Sequence, residues 1–176
     1  MQRMRTGAGF YGLVFIAGFI TFAVHEGGHW LAANLLGYEP WFSLNSAGTR
    51  SVVTPTDAAI ISAAGPAVTV VQALIALALV QARGSAAAWV FLFWAAFMRL
   101  MATVISLVHP NDEARVSDWL GWGPWTLPAI VTAALFLLLA AGVQRLNVSW
   151  KTLALTWVAA SVAVAAVVGL DMIIPR

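Results

Sequence analysis

Cysteine is absent from this sequence of 176 residues, and charged residues are scarce. Without cysteine, disulfide bonds and thiolate metal sites are excluded, and histidine and carboxylate side chains are the strong metal ligands that remain. Charged residues make up 9% of the chain, against about 25% in ordinary soluble domains. The nine Lys and Arg residues form no basic run, which argues against a nucleic-acid partner.

Hydrophobic residues account for 61% of the sequence and are concentrated in five long runs, near residues 7–36, 58–80, 86–108, 125–143 and 153–174. Each run has close to, or more than, the roughly 20 residues that a transmembrane helix needs. We therefore expect an all-α polytopic membrane protein with five spans, in which residues 1–176 form a single integral membrane domain. The mixed segment 38–56 predicts a β-hairpin-like element, with strands at 41–44 and 50–53 around a turn at 45–48.

The first hydrophobic run contains the motif His25-Glu26-Gly27-Gly28-His29. On a helix, residues four apart project from one face, so His25 and His29 can ligate one zinc ion. Glu26, about 100° around the helix from His25, can act as a general base toward a water molecule without ligating the metal. Ionisable side chains inside an apolar helix are costly and are usually functional. The motif therefore predicts a zinc site in the membrane.

Gly27 and Gly28 leave the helix without side chains beside the predicted metal. They can provide room for a substrate, or they can allow a second helix to pack closely, as small residues commonly do in membranes. The sequence favours neither reading.

A catalytic zinc site takes a third protein ligand, which must come from elsewhere in the chain. Asp112 is the first candidate, because Pro110 ends the third hydrophobic run and lets the backbone turn back toward the histidines. His109 and Glu113 compete with it, and a solvated loop beyond the membrane is a further alternative for all three residues.

The sequence resembles the site-2 protease family of intramembrane zinc metalloproteases over residues 10–120. The shared features are the histidine motif at 25–29, the candidate hairpin, the Ala-Gly-Pro motif at 64–66 and the Pro-Asn-Asp-Glu motif at 110–113. The resemblance implies that His25, His29 and Asp112 bind Zn²⁺ and that Glu26 is the catalytic base. It also implies a protease-like core at about 8–120, with two additional spans at about 124–174.

The family assignment further implies an endopeptidase that cleaves transmembrane proteins within or next to their membrane segments, as in regulated intramembrane proteolysis. The substrate segment must unwind locally, and the hairpin can hold it by edge pairing. Candidate substrate-binding residues are Val52 in the hairpin and Gly65 and Pro66 in the second span. We expect the protein in the lipid bilayer of a bacterial or archaeal cell membrane.

Three positions depart from the family pattern. Glu113 stands where the family usually has glycine, Thr69 where asparagine often follows the Gly-Pro pair, and Ser106 where asparagine usually precedes the proline motif. The departure at Glu113 supports an alternative function, a catalytically inactive membrane scaffold of the same fold that binds partner helices. A metal transporter or channel, in which histidines and carboxylates line a pathway, is a second alternative, which the scarcity of charge within three of the spans disfavours.

Basic residues outside the hydrophobic runs bear on orientation. On the N-terminal side of the membrane lie Arg3, Arg5, Arg83, Arg145 and Lys151, and on the other side lie Arg50, Arg115 and Arg176. The positive-inside rule makes the N-terminal side cytoplasmic, whereas the family usually has its zinc nearer the cytosol and the motifs here lie toward the opposite side. Both orientations stay open. Within the third run, Arg99 can contact a carboxylate or snorkel toward the N-terminal side, and we expect it to snorkel.

Overall fold

A computed structural model describes residue 4 and residues 6–173 of the chain. In chain order the elements within those residues are α1 (Ala8–Leu35), β1 (Pro40–Phe42), β2 (Ala47–Thr49), α2 (Pro55–Arg83), α3 (Ala86–Ile105), α4 (Asp112–Trp119), α5 (Thr126–Leu146) and α6 (Trp150–Ile173). All of these helices except α4 are long and apolar enough to cross a membrane. The predicted fold class and the five spans are therefore confirmed, while Arg3, Arg5, Arg176 and the last residue of the fifth predicted span lie outside the described residues.

Local chemistry sets the ends of the second and third spans. Thr54 caps α2, because its side chain accepts a hydrogen bond from the Asp57 amide, and Pro55 occupies the first helical turn, where its missing N–H costs nothing. Gly84 ends α2 in the left-handed conformation, with φ of +62°. Ser85 then caps α3 through the Ala88 amide. These caps make α2 longer at both ends than the predicted span at 58–80.

Helix α3 lies at the centre of the bundle. Its aromatic side chains Trp89, Phe93, Trp94 and Phe97 are almost completely buried. The Trp94 Nε1–H donates a hydrogen bond to the Val14 carbonyl of α1 at 2.7 Å, which satisfies an indole that would otherwise be unpaired in the core. Because α3 also contacts α2 and α5, it joins three of the other spans in one core.

The hairpin between α1 and α2 is shorter than predicted. Strands β1 and β2 are antiparallel, and Trp41 pairs with Gly48. The Ser43 amide donates to the Ser46 carbonyl at 2.7 Å and closes the turn two residues earlier than expected. A Cβ on Gly48 would lie 2.9 Å from the Trp41 ring, so the glycine allows the indole to cover the opposite strand.

The predicted second strand at 50–53 is therefore wrong, because this segment leads into the cap of α2. Val52 lies outside both strands and is 97% exposed. The turn of the hairpin instead rests against α6, where the Leu44 amide donates a 3.0 Å hydrogen bond to Asp171 Oδ1. The last helix thus holds the hairpin beside the C-terminal half of α1.

Candidate metal centre

Three side chains converge between α1 and the start of α4. His25 Nε2 lies 3.1 Å from His29 Nε2, and Asp112 Oδ2 lies 3.2 Å from His25 Nε2 and 3.4 Å from His29 Nε2. All three side chains are buried. Among the described residues, this is the one group of three or more His, Asp or Glu side chains whose ligand atoms all lie within 4.8 Å of one another. The cluster can hold a metal ion.

Helix α2 orients the His29 imidazole. The His29 Nδ1 atom lies 2.6 Å from the Ile61 carbonyl oxygen, and a carbonyl can only accept, so this nitrogen carries a hydrogen. In the neutral ring the Nε2 atom therefore presents a lone pair to the centre of the cluster.

Thr69 orients the imidazole of His25. Its hydroxyl donates to the Gly65 carbonyl at 3.1 Å, so its oxygen is left to accept a hydrogen bond from His25 Nδ1 at 3.0 Å. The neutral His25 ring then also directs its Nε2 lone pair at the cluster. Such partners on the far nitrogen fix the tautomer and the ring orientation of metal-binding histidines. Thr69, which departs from the family pattern, thus has a defined contact with a predicted ligand.

Gly65 allows α2 to approach the two imidazoles. A Cβ built on this residue would collide with His29 Nε2 and would lie 2.6 Å from His25 Cε1. Gly28 serves the same contact from α1, because a Cβ there would lie 3.1 Å from the Ala64 carbonyl oxygen. Gly27 has open space around the position of a Cβ. Of the two roles that the sequence allows for these glycines, close helix packing therefore applies to Gly28, whereas Gly27 lies beside free space.

The turn between α3 and α4 brings Asp112 back to the histidines. Helix α3 ends at Ile105, and Ser106 Oγ accepts a 3.1 Å hydrogen bond from the Asn111 amide, which closes the turn. Asn111 then caps α4, with its side chain accepting from the Asp112 amide. On the outer side, Arg115 Nη2 donates to Asp112 Oδ1 at 3.0 Å. Since Oδ1 is engaged there, Oδ2 is the oxygen that faces the imidazoles.

The cluster keeps the Asp112 side chain ionised. Burial alone would raise its pKa, but the hydrogen-bonding proximity of His25 and His29 holds the pKa of this carboxyl well below its usual range. Asp112 is therefore the anionic member of the cluster.

Arg99 and Glu113 form a buried ion pair next to the cluster. Arg99 Nη1 lies 3.0 Å from Glu113 Oε1 and 3.1 Å from Oε2, and the arginine is 2% exposed. The prediction that Arg99 snorkels to the membrane surface is therefore wrong, because a partner within the bundle makes burial less costly than it is for a lone charge. The turn at 106–111 makes this pair possible, since it reverses the chain and brings α4 beside α3.

The same turn separates the three candidates for the third ligand. Glu113 has both carboxylate oxygens on Arg99, whereas His109 is exposed and lines the cavity described next. Asp112 alone of the three has an oxygen between the histidines.

A cavity of about 400 Å³ opens beside the cluster. Glu26 is buried and lines it together with the predicted ligands, and Asn45, Ser46 and Ala47 of the hairpin line it from the opposite side. Helix α6 contributes Val164 and Val168. The cavity therefore joins the histidine motif to the hairpin, with apolar side chains of the last span along one wall.

The candidate substrate-binding residues occupy other places. Gly65 and Pro66 are buried in α2 beneath the imidazoles, and Val52 is exposed beyond the hairpin, so none of the three lines the cavity. The sequence predicted no contact for Thr69 or Arg115, and it allowed a carboxylate partner for Arg99 without identifying Glu113. The sequence does contain a signal for the Arg99–Glu113 ion pair. An arginine within a hydrophobic run and an extra carboxylate next to Asp112 are each costly alone, so pairing the two lowers the cost of both.

Protein-family models, curated proteins and solved structures were all compared with this chain, and none of them matches it.

Proposed function

We propose that this protein is a zinc-dependent intramembrane endopeptidase of the site-2 protease type, with His25, His29 and Asp112 as metal ligands and Glu26 as catalytic base. The observation that carries the proposal is the triangle of two imidazole nitrogens and one carboxylate oxygen, with edges of 3.1, 3.2 and 3.4 Å. Tetrahedral ligands about 2.0–2.1 Å from zinc lie about 3.3–3.4 Å from one another. The donor set and its spacing therefore fit zinc.

The charges around the cluster also favour a divalent cation. Glu26, Asp112 and Glu113 are buried carboxylates, and Arg99 is the buried cation beside them. Arg99 Nη1 lies closer to Glu113, at 3.0 Å, than to Asp112, at 3.6 Å, so it offsets the buried Asp112 carboxylate only in part, and a buried charge without full compensation is expensive. Arg115, the other nearby cation, has a side chain that is 56% exposed and compensates less. A divalent metal ion would offset the remaining charge of Asp112.

The protein side chains divide the chemistry of peptide hydrolysis between them. A zinc ion supplies Lewis acidity, which polarises a peptide carbonyl and makes water more acidic. Glu26 takes one proton from the attacking water, whose oxygen forms a bond with the carbonyl carbon. As the carbon–nitrogen bond breaks, Glu26 returns that proton to the departing amine, so the products are a carboxylic acid and an amine. The three ligands and their partners hold the geometry throughout.

The expected substrate is a segment of a transmembrane protein. His29 lies six residues before the end of α1, or about 9 Å along the helix axis, so the cluster lies in the half of the bundle that carries the hairpin. Carbonyls in an intact helix are already hydrogen-bonded, so the scissile segment must unwind before it can react. The hairpin lines the cavity and can pair with an extended segment. The assignment to a bacterial or archaeal cell membrane belongs to the same proposal.

The contact between Glu113 and Arg99 weakens the case for an inactive scaffold. The departure from glycine at this position is the main support for the scaffold. Because Arg99 engages both oxygens of Glu113, the extra carboxylate does not displace Asp112 from the histidines. The site geometry is thus compatible with the altered motif.

Metal content per chain is the first test. The full-length protein is expressed in medium with added zinc and purified in detergent, and its zinc content is measured by elemental mass spectrometry. The variants His29→Ala, Asp112→Asn and His109→Ala are measured in parallel. We expect about one zinc per wild-type chain, loss in His29→Ala, a reduced content in Asp112→Asn and an unchanged content in His109→Ala. A wild type without bound metal would refute the proposal.

Cleavage is tested with the Glu26→Gln variant. Wild type and variant are incubated in proteoliposomes with single-span model peptides that carry glycine or proline near either membrane surface, and fragments are identified by mass spectrometry. The peptidase loses cleavage in Glu26→Gln and keeps its zinc. A scaffold would show zinc in both proteins and fragments in neither.

A further inference from the structure

The guanidinium of Arg99 is only partly satisfied by its ion pair. Nη1 donates to both oxygens of Glu113. Nη2 has one partner, His25 Nε2, at 3.4 Å, and the Nε atom has none among the described residues. Arginine cannot lose its proton in a protein, so these N–H groups stay donors at any relevant pH. A buried donor without an acceptor is costly.

Metal binding would compete for His25 Nε2, which is the one acceptor of Nη2 within the described part of the chain. The His25 Nε2 lone pair can be given to a metal ion or shared with Arg99, but not both at full strength. The guanidinium nevertheless stays within 3.4 Å of His25 Nε2 and 3.6 Å of Asp112 Oδ2, and it lines the cavity. A donor thus lies beside the cluster in the wall of the cavity through which a ligand would enter.

We propose that Arg99 Nη2 forms an oxyanion site, in which it donates a hydrogen bond to the attacked carbonyl oxygen of the substrate and to anionic oxygen ligands that enter beside the metal. This inference rests on the proposed function. It adds a catalytic residue that lies outside the histidine motif and the Pro-Asn-Asp-Glu motif. Fixed donors aimed at developing negative charge are a major source of catalysis, and in a site shielded from water each is worth more than in solution.

Glu113 acts on the reaction through Arg99 and is a positioning residue. Both of its oxygens accept from the single atom Nη1, which ties one end of the guanidinium to α4 and leaves Nη2 outside the ion pair. It also offsets the arginine charge, which would otherwise oppose a metal cation a few ångströms away. The pair therefore supplies an oriented donor with little net charge.

Anion binding to the cobalt-loaded protein tests the inference without an activity assay. Full-length protein in detergent is loaded with Co²⁺, and its visible absorption is titrated with acetohydroxamate, an anionic oxygen ligand, and separately with imidazole, a neutral one. The variants are Arg99→Gln/Glu113→Gln, which removes both charges, and Glu113→Gln, which keeps the guanidinium. Cobalt per chain is measured for every protein by elemental mass spectrometry.

We expect the double variant to bind about one cobalt per chain and to bind acetohydroxamate at least about tenfold more weakly, as for loss of a charged hydrogen bond. Its imidazole affinity should stay within about twofold of wild type, because imidazole brings no oxygen to the site. Glu113→Gln keeps an amide oxygen that can accept from Arg99 Nη1, so its acetohydroxamate affinity should fall less than that of the double variant. Acetohydroxamate affinity unchanged in the double variant would overturn the inference, as would an equal loss of acetohydroxamate and imidazole affinity in that variant, which indicates general damage to the site.

A variant that fails to fold is replaced by Arg99→Lys, which keeps the charge. One ammonium bound to Glu113 cannot also reach the ligand position, so acetohydroxamate binding should again weaken, and unchanged binding would count against the inference.

Wild type without cobalt or zinc would refute both proposals. Metal binding and Arg99-dependent anion binding without peptide cleavage would refute only the peptidase, whereas metal binding and cleavage without dependence on Arg99 would refute only the oxyanion site.

Discussion

Gly65 of α2 lies directly against the Nε2 atom of His29, so closely that a single added Cβ atom would collide with that nitrogen. The same atom would lie 2.6 Å from His25 Cε1. The two imidazoles can therefore take their positions only because Gly65, the middle residue of the Ala-Gly-Pro motif, has no side chain. Helix α2 approaches α1 at this level because neither Gly65 nor Gly28 carries a side chain.

Replacing Gly65 with alanine should displace His29 and weaken zinc binding at least about tenfold, since overpacking of a tight contact costs about 1–3 kcal/mol. The matched control is Gly27→Ala in the histidine motif, where a Cβ would meet open space. We expect that control to keep its zinc and to gain slightly in thermal stability from the better helix propensity of alanine. Isothermal titration with zinc and thermal unfolding of the two variants measure both effects. Equal zinc affinities in the two variants would contradict this role of Gly65.

Thr69→Val should lower zinc affinity about 10- to 100-fold, the usual effect of losing an outer partner of a ligand histidine. Valine keeps the shape of threonine but cannot accept the hydrogen bond from His25 Nδ1, so the ring loses the contact that fixes its tautomer. Thr69→Ser restores the acceptor and is the control. Competition with a zinc chelator of known affinity measures both variants, and a valine variant as tight as the serine variant would show that Thr69 does not orient His25.

Arg115→Gln tests the orientation of the Asp112 carboxylate. Arg115 donates to Asp112 Oδ1, but its side chain is 56% exposed, and exposed ion pairs contribute about 0–1 kcal/mol. We therefore expect zinc affinity to fall by less than about fivefold, and the difference from wild type to shrink in high salt. Chelator competition at low and high ionic strength provides the measurement. A loss as large as that of Thr69→Val would mean that Arg115 holds Asp112 in place.

The sequence was sufficient for the elements that depend on local pattern. Hydrophobic run length predicts the five spans, and helical spacing predicts that His25 and His29 share a face. The position of Asp112 between them came from the family resemblance, because spacing alone left His109 and Glu113 open. In the structure Asp112 is the one of the three that lies against the two histidines. The turn closed by Ser106 and Asn111 brings it there, and the course of that turn depends on side-chain hydrogen bonds that no periodicity encodes.

Contacts between distant helices account for what the sequence did not predict. Arg99 was expected to reach the membrane surface because its partner, Glu113, follows 14 residues later and beyond a chain reversal. The hairpin register was misplaced because Val52 and Val53 favour a strand by propensity, whereas the observed strand is set by the pairing of Trp41 with Gly48. In both cases a tertiary contact overrides a local preference.

Asp171→Leu should release the turn of the hairpin from α6. The Leu44 amide donates to Asp171 Oδ1 at 3.0 Å, and the aspartate is buried in the last turn of its helix, where a negative charge opposes the helix dipole. Loss of a hydrogen bond to a charged acceptor, about 1.5–3 kcal/mol, should speed exchange of the Leu44 amide about 10- to 100-fold. Hydrogen–deuterium exchange with mass spectrometry of the peptide covering residues 43–49 measures this change. Met172→Leu is the control, because Met172 is its neighbour and is largely exposed. If exchange over residues 43–49 is the same in both variants, the hairpin is held by its own turn and strand contacts rather than by α6.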